Sequence, residues 1–330
     1  MNLELGRAWS ILMQTKAYLV YRAAIYGALA VGALLYLAFL GIIGAIFGGG
    51  AALIVFVITL VGGGVMGLGR LLGDYVLYML KAGHVALITE IIEKGALPAG
   101  VSQTAWAKER VLGLVKEASV LSLLDQLVKG IIRYINREIL GFSQILPIPG
   151  LEGAANAAGK IVQLSLTYVD ETMLAYALRT HAANVFESSK RGIVLYCQCW
   201  KGLLKNAVAL AVAGYVLTAL LFAVFAVPLG AVALLVPAKW ATFRMGLFLT
   251  ALVLAGSIKL VLYDPFACTA TILTFFTESK GLEPSPEWES RLDAASELFR
   301  ELKTKAAGFA EDLARQAAPP TTQPPSATAA

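Results

Sequence analysis

Four strongly apolar stretches, at residues 18–47, 51–69, 206–227 and 245–263, come as two pairs with a long charged segment, 70–205, between them. A helix crossing a hydrocarbon core of about 30 Å needs roughly 20 mostly apolar residues, and these stretches are near or above that length. Composition agrees. The chain is 58% hydrophobic and 15% charged, with a mean hydropathy of +0.71, whereas soluble domains carry about 25% charged residues. The pattern predicts an all-α polytopic membrane protein in which two transmembrane hairpins (four spans) are separated by a helical, amphipathic cytoplasmic block. Glu4, Arg7 and Lys16 are too scattered to form the compact basic region of a cleavable signal, so the first stretch is expected to be a retained anchor.

Basic residues set the expected orientation. The first hairpin turns at Gly48, Gly49 and Gly50 without a charge, and the second turns through 228–244 with only Lys239 and Arg244. Arg7, Lys16 and Arg22 count with the N-terminal arm, while 70–205 holds fifteen basic residues against eleven acidic ones. Both termini and the central block are therefore expected to be cytoplasmic. The implied organisation is an amphipathic arm (1–17), a first hairpin (18–69), an interfacial or cytoplasmic block (70–205), a second hairpin (206–263), amphipathic helices (264–316) and a disordered tail (317–330).

The halves share local features at a slowly drifting offset. Val76, Leu77 and Tyr78 match Val261, Leu262 and Tyr263; Lys94 and Gly95 match Lys280 and Gly281; Pro98 matches Pro284. A parallel internal repeat would give this pattern. Two unrelated hairpins with similar helix-end chemistry would give it too.

Within the central block, apolar residues recur at helical spacing from 105 to 142, with Thr104 placed to cap the start. Lys129, Arg133 and Arg137 form a basic row opposite that stripe, as in a helix lying among lipid headgroups; a soluble bundle with the row solvated is the alternative. Pro147 and Pro149 break the chain, and a second helical stretch runs over 151–205. Near the far end, Ser285, Pro286 and Glu287 have the composition of a helix start, leading to a helix that reaches about 315.

Small residues four apart, Gly44 with Gly48 and Gly63 with Gly67, suit close approach of helices. The run from Gly62 to Gly67 also fits a dinucleotide-loop spacing, but no strand precedes it and the surroundings are apolar. Lys259 is a basic residue inside the fourth span, placed either to snorkel or to pair with Asp264 or Asp74. His84 lies in a polar stretch with Asp74, Lys81, Thr89, Glu90 and Glu93; it is a candidate for switching near neutral pH, a structural role being the alternative. Lys259, Asp264, Asp74 and His84 are thus the candidate pathway residues. Cys197, Cys199 and Cys268 are odd in number and lack histidine neighbours, so they are read as packing residues. No spacing indicates a catalytic residue, metal site, cofactor or nucleic-acid partner.

Ala175 and Tyr176, Asn184 and Phe186, Ser188 to Lys190, Asn206, Asp264, and the run from Thr271 to Glu278 together resemble the C-terminal part of the choline transporter-like family, over residues 168–280. The long spacing from Asn184 to Asn206 and the absence of cysteine-rich exterior loops depart from that family. The resemblance implies a polytopic protein associated with choline or organic-cation transport. Two functions are therefore expected: a transport or permeation protein, homo-oligomeric because four spans enclose little interior, or a non-catalytic membrane organiser. The organiser would bind lipid or recruit a protein partner through its amphipathic helices.

Overall fold

A computed structural model describes residues 4–64, 68–115, 168–180 and 184–317, and every regular element among them is helical. Helix α1 (Leu5–Gln14) gives way at Thr15 to α2 (Lys16–Phe47). There the Thr15 hydroxyl donates to the Leu12 carbonyl at 2.8 Å. Gly48, at φ +91°, turns the chain into α3 (Gly49–Gly64) in a single residue. Only glycine takes that backbone conformation without strain. Helices α4 (Leu68–Lys94), α5 (Gln103–Val115) and α6 (Val169–Thr180) follow.

Helix α7 (Val185–Leu235) is 51 residues long, capped by Asn184, whose side chain accepts from the Glu187 N–H at 3.0 Å. A short connection leads to α8 (Ala241–Ile258), a π turn (Lys259–Tyr263) and α9 (Asp264–Glu278), which follow one another without a gap. The chain then forms α10 (Pro286–Ala295) and α11 (Glu297–Ala317).

Three helical runs, Lys16–Phe47, Phe186–Leu235 and Ala238–Glu278, are long and apolar enough to cross a membrane, while Gly49–Thr59 is apolar but shorter. Fifty-one residues at 1.5 Å each make α7 about 76 Å long, far more than a ~30 Å hydrocarbon core. The surplus has a use. The molecule has two tiers, and α7 runs through both.

In the upper tier large apolar side chains point outward, among them Leu35, Phe39, Ile46, Leu220, Val227 and Leu235. Helix α8 lies between α2 and α7, and α3 packs on α2. At the α2–α8 crossing a Cβ on Gly44 would stand 2.7 Å from Thr242, so the missing side chain sets the approach. Gly41, three residues earlier, faces Phe243 in the same seam.

The lower tier is built the opposite way. Helices α1, α4, α6, α9 and the first part of α7 enclose a core that includes Ile88, Met173, Ile193, Tyr196, Ile272 and Phe275. Helix α11 closes it with Phe299, Leu302 and Ala306 on one amphipathic face. Gln103 ties the α1–α2 elbow to α5, accepting from the Tyr18 N–H at 3.0 Å and donating to the Gln14 carbonyl at 2.8 Å.

Several boundaries differ from those expected. The second turn occupies Val236 to Trp240 rather than 228–244, because α7 continues through Pro228. Asn206 opens no new element; it lies within α7, and the division at 205/206 is not a break. Asp264 and Pro265 do not stop the helix either, since the preceding π turn accommodates the proline. Helix α9 is buried nearly all round rather than amphipathic; Thr269, Thr271 and Thr274 remain inside by donating to carbonyls four residues back. The last helix is divided at Ser296, whose hydroxyl accepts from the Phe299 N–H. Ser285 precedes α10 but makes no side-chain cap, and α5 begins at Gln103, ahead of Thr104. The stretch 116–167, including the break at Pro147 and Pro149, and the tail from 318 lie outside the described residues.

Candidate functional site

Where the two tiers meet, a small set of ionisable side chains surrounds a cavity of about 40 Å³. Helix α2 contributes Arg22, α4 Lys81 and His84, α9 Asp264 and Cys268, and α6 Glu171 together with Tyr168 just before it. Three of these charged or polar residues are almost fully enclosed: Arg22 is 3% exposed, His84 1% and Glu171 7%.

The π turn explains why Arg22 belongs there. Within it the Asp264 N–H bonds to the Lys259 carbonyl, and Pro265 has no N–H to give to Leu260. The Leu260 carbonyl is thereby left without a backbone donor, and Arg22 Nη2 donates to it at 2.8 Å. π turns inside longer helices recur at functional sites.

Asp264 gathers two donors on one oxygen. Lys259 Nζ lies 2.7 Å from Oδ1, and the Tyr168 hydroxyl donates to the same atom at 3.1 Å. Across the cavity Lys81 Nζ lies 3.5 Å from Glu171 Oε1.

The tautomer of His84 follows from its neighbour. Thr15 commits its one hydroxyl hydrogen to the Leu12 carbonyl, so at 2.9 Å its oxygen accepts from His84 Nε2–H. His84 Nδ1 is then a bare acceptor. It has no hydrogen-bond partner, and neither do Arg22 Nε and Glu171 Oε2. Buried polar atoms are nearly always paired, so three such atoms around one cavity mark an unusual place.

Burial holds the His84 imidazole well below its usual range, and the Arg22 charge adds to the effect. His84 is therefore neutral at physiological pH, and does not by itself provide a switch near neutrality. Burial pushes the Glu171 carboxyl well above the usual carboxylate range, helped by a hydrogen bond with Asp170 and opposed by the Lys81 ammonium. For Lys81, burial works to lower its pKa, but Glu171, Asp170, Tyr26 and Asp264 outweigh it and raise the value.

Of the four pathway candidates, the structure brings His84 and Asp264 to the cavity and joins Lys259 to it through Asp264. The Asp74 side chain lies outside the described residues, as do the packing of Gly63 and Gly67 and the row Lys129, Arg133 and Arg137. Gly44 is a packing position, whereas Gly48 has nothing within 4 Å of a built Cβ and acts in the turn. Cys197, Cys199 and Cys268 are free and buried, and no group of three metal-ligating residues occurs among the described residues.

Sequence reasoning missed Arg22, Lys81, Tyr168 and Glu171. Arg22 was available to it: a cation four residues after Tyr18, where the apolar run begins, is a signal, but grouping it with the arm concealed that. Among the described residues two larger hollows lack the enclosed, unpaired groups of the junction. One, of about 440 Å³ between α2, α3 and α8, is apolar apart from Thr242; the other, of about 880 Å³ between α4 and α5, is an open surface cleft. No family model, curated protein or solved structure matches the chain.

Proposed function

We propose that the chain is a multi-pass integral membrane protein that moves a small solute or cation across the bilayer, with the buried junction as its gate. The four-span, two-hairpin topology with both termini cytoplasmic belongs to this proposal, as do a parallel relation between the halves and a homo-oligomeric assembly. The observation that carries the reading is the set of three enclosed side chains, Arg22, His84 and Glu171, each with an unpaired polar atom around one cavity. Arg22 lies on a run long and apolar enough to cross a membrane, and an ionisable group on such a helix is costly and marks an ion or substrate pathway by default.

Small-molecule sites run to about 300–1,000 Å³. At about 40 Å³ the junction has room for a water or a bare ion, and so corresponds to a closed gate. Choline or another organic cation, the class that the resemblance of residues 168–280 implies, would need the junction to widen. The π turn beside Asp264 is a suitable place for that change. Uptake of labelled choline and of simple monovalent cations into proteoliposomes tests the reading. Saturable, protein-dependent uptake is expected, whereas flux equal to that of empty vesicles from folded protein would oppose it. The second reading, a membrane organiser that binds lipid headgroups or a protein partner, draws on the broad apolar surface of the upper tier. Binding to lipid vesicles with no flux would favour it.

A further inference from the structure

The three unpaired atoms around the junction cavity are chemically complementary to one ligand. Arg22 Nε–H is a donor; His84 Nδ1, bare because Nε2 carries the hydrogen, is an acceptor; Glu171, whose Oε2 is unpaired, lines the same space. A single water can satisfy all three, accepting from Arg22 Nε–H and from a protonated Glu171 carboxyl and donating to His84 Nδ1. A cavity of about 40 Å³ has room for it, since one water occupies about 30 Å³ of liquid.

We propose that this cavity is a proton-binding site, in which one trapped water hydrates a carboxyl proton held on Glu171. The inference deepens the transport reading by naming the ion the junction binds, and it rests on that reading for its physiological role. The exchange is simple: the Glu171 O–H bond breaks, the proton leaves through the water, and a carboxylate remains beside the Lys81 ammonium. No other bond changes.

The surrounding charges decide which group titrates. Arg22 and Lys259 face the site from α2 and the π turn, Lys81 and His84 from α4, Asp170 and Tyr168 from the α6 region, and Asp264 and Cys268 from α9. Asp264 is already occupied by Lys259 and Tyr168. His84 is kept neutral by burial and Arg22, so it orients the water rather than taking the proton. Glu171 has burial and Asp170 favouring its protonated form, and the Lys81 ammonium, itself 44% exposed, together with a backbone N–H, opposing it.

Infrared spectroscopy of the full-length protein in nanodiscs, titrated across pH, reads the carboxyl directly. The expected result is a protonated-carboxyl carbonyl band at pH 7 that Glu171→Gln removes. Absence of any such band in folded wild-type and variant protein would overturn the proposal. Should Glu171→Gln fail to fold, Lys81→Met serves instead, because it alters a half-exposed side chain. Loss of the ammonium should move deprotonation to higher pH, by on the order of 1–3 units. A band that does not move in Lys81→Met would contradict the assignment. The two readings separate cleanly: a Glu171 band without solute flux sinks the transport function and leaves the proton site, while flux without the band does the reverse.

Discussion

Arg22 replaces a backbone donor that Pro265 cannot supply: its guanidinium donates to the Leu260 carbonyl at 2.8 Å, across 238 positions of sequence. The contact links the first long helix to the π turn in the third helical run, at the boundary between the tiers. It also makes Arg22 and Pro265 an interdependent pair. An orphaned buried carbonyl costs about 1–3 kcal/mol. Arg22→Met should therefore lower stability by about that amount in detergent, as read by thermal or denaturant unfolding. Pro265→Ala restores an N–H and should relieve part of the loss. A double variant as unstable as the sum of the two would show that the pair does not interact in this way.

The α2–α8 seam makes a steric prediction. Gly44→Ala puts a methyl 2.7 Å from Thr242 and should destabilise by about 1–3 kcal/mol. Thr242→Gly should restore much of it in the double variant. Gly48→Ala should cost a similar ~1–3 kcal/mol for a different reason, the backbone strain at φ +91°, and Thr242→Gly should not rescue it. Unfolding midpoints of the four variants distinguish packing from strain.

His84 and Glu171 give stability opposite pH dependences. The folded-state pKa of His84 lies below its unfolded value of 6.5, so the unfolded chain binds more protons as pH falls through 6.5, and stability is lost on acidification. Glu171 has a folded pKa above its unfolded value of 4.5. Its contribution is full below 4.5 and is lost as pH rises through the folded value. Glu171→Gln should flatten the alkaline side of the midpoint-versus-pH curve, and His84→Asn the acidic side. A Glu171→Gln curve that keeps the wild-type alkaline fall would contradict the assignment.

Lys259 and Asp264 should behave as a pair. Removing either charge leaves the other half-buried without its ionic partner, which is worse than removing both. Lys259→Met and Asp264→Asn should each unfold at lower temperature than the double variant. Additive losses would mean that the pair contributes little.

How far the sequence reveals this molecule depends on the range of the interaction. Its helical character and its long apolar runs were legible because periodicity and apolar length are local properties; the sequence left Lys259 open between snorkelling and pairing with Asp264 or Asp74, and the structure pairs it with Asp264. Glu171 and Lys81 were not legible, since nothing near Glu171 in sequence indicates that α6 turns it towards α4. Pro265 misled in a particular way. Read locally, Asp264 and Pro265 end a helix, and only the distant Arg22 makes continuation through the π turn affordable. Gly48 likewise shares its four-residue spacing with Gly44, yet one faces Thr242 and the other forms a turn.

The central claim is that the junction gates movement of a small solute or cation, and the most direct test compares uptake by wild-type protein and Asp264→Asn in proteoliposomes. Both proteins must be shown to be folded and equally incorporated. The account predicts saturable uptake by the wild type and loss of uptake in the variant. Equal flux through both would contradict the assignment of the junction, and no flux above empty vesicles from either would contradict transport itself.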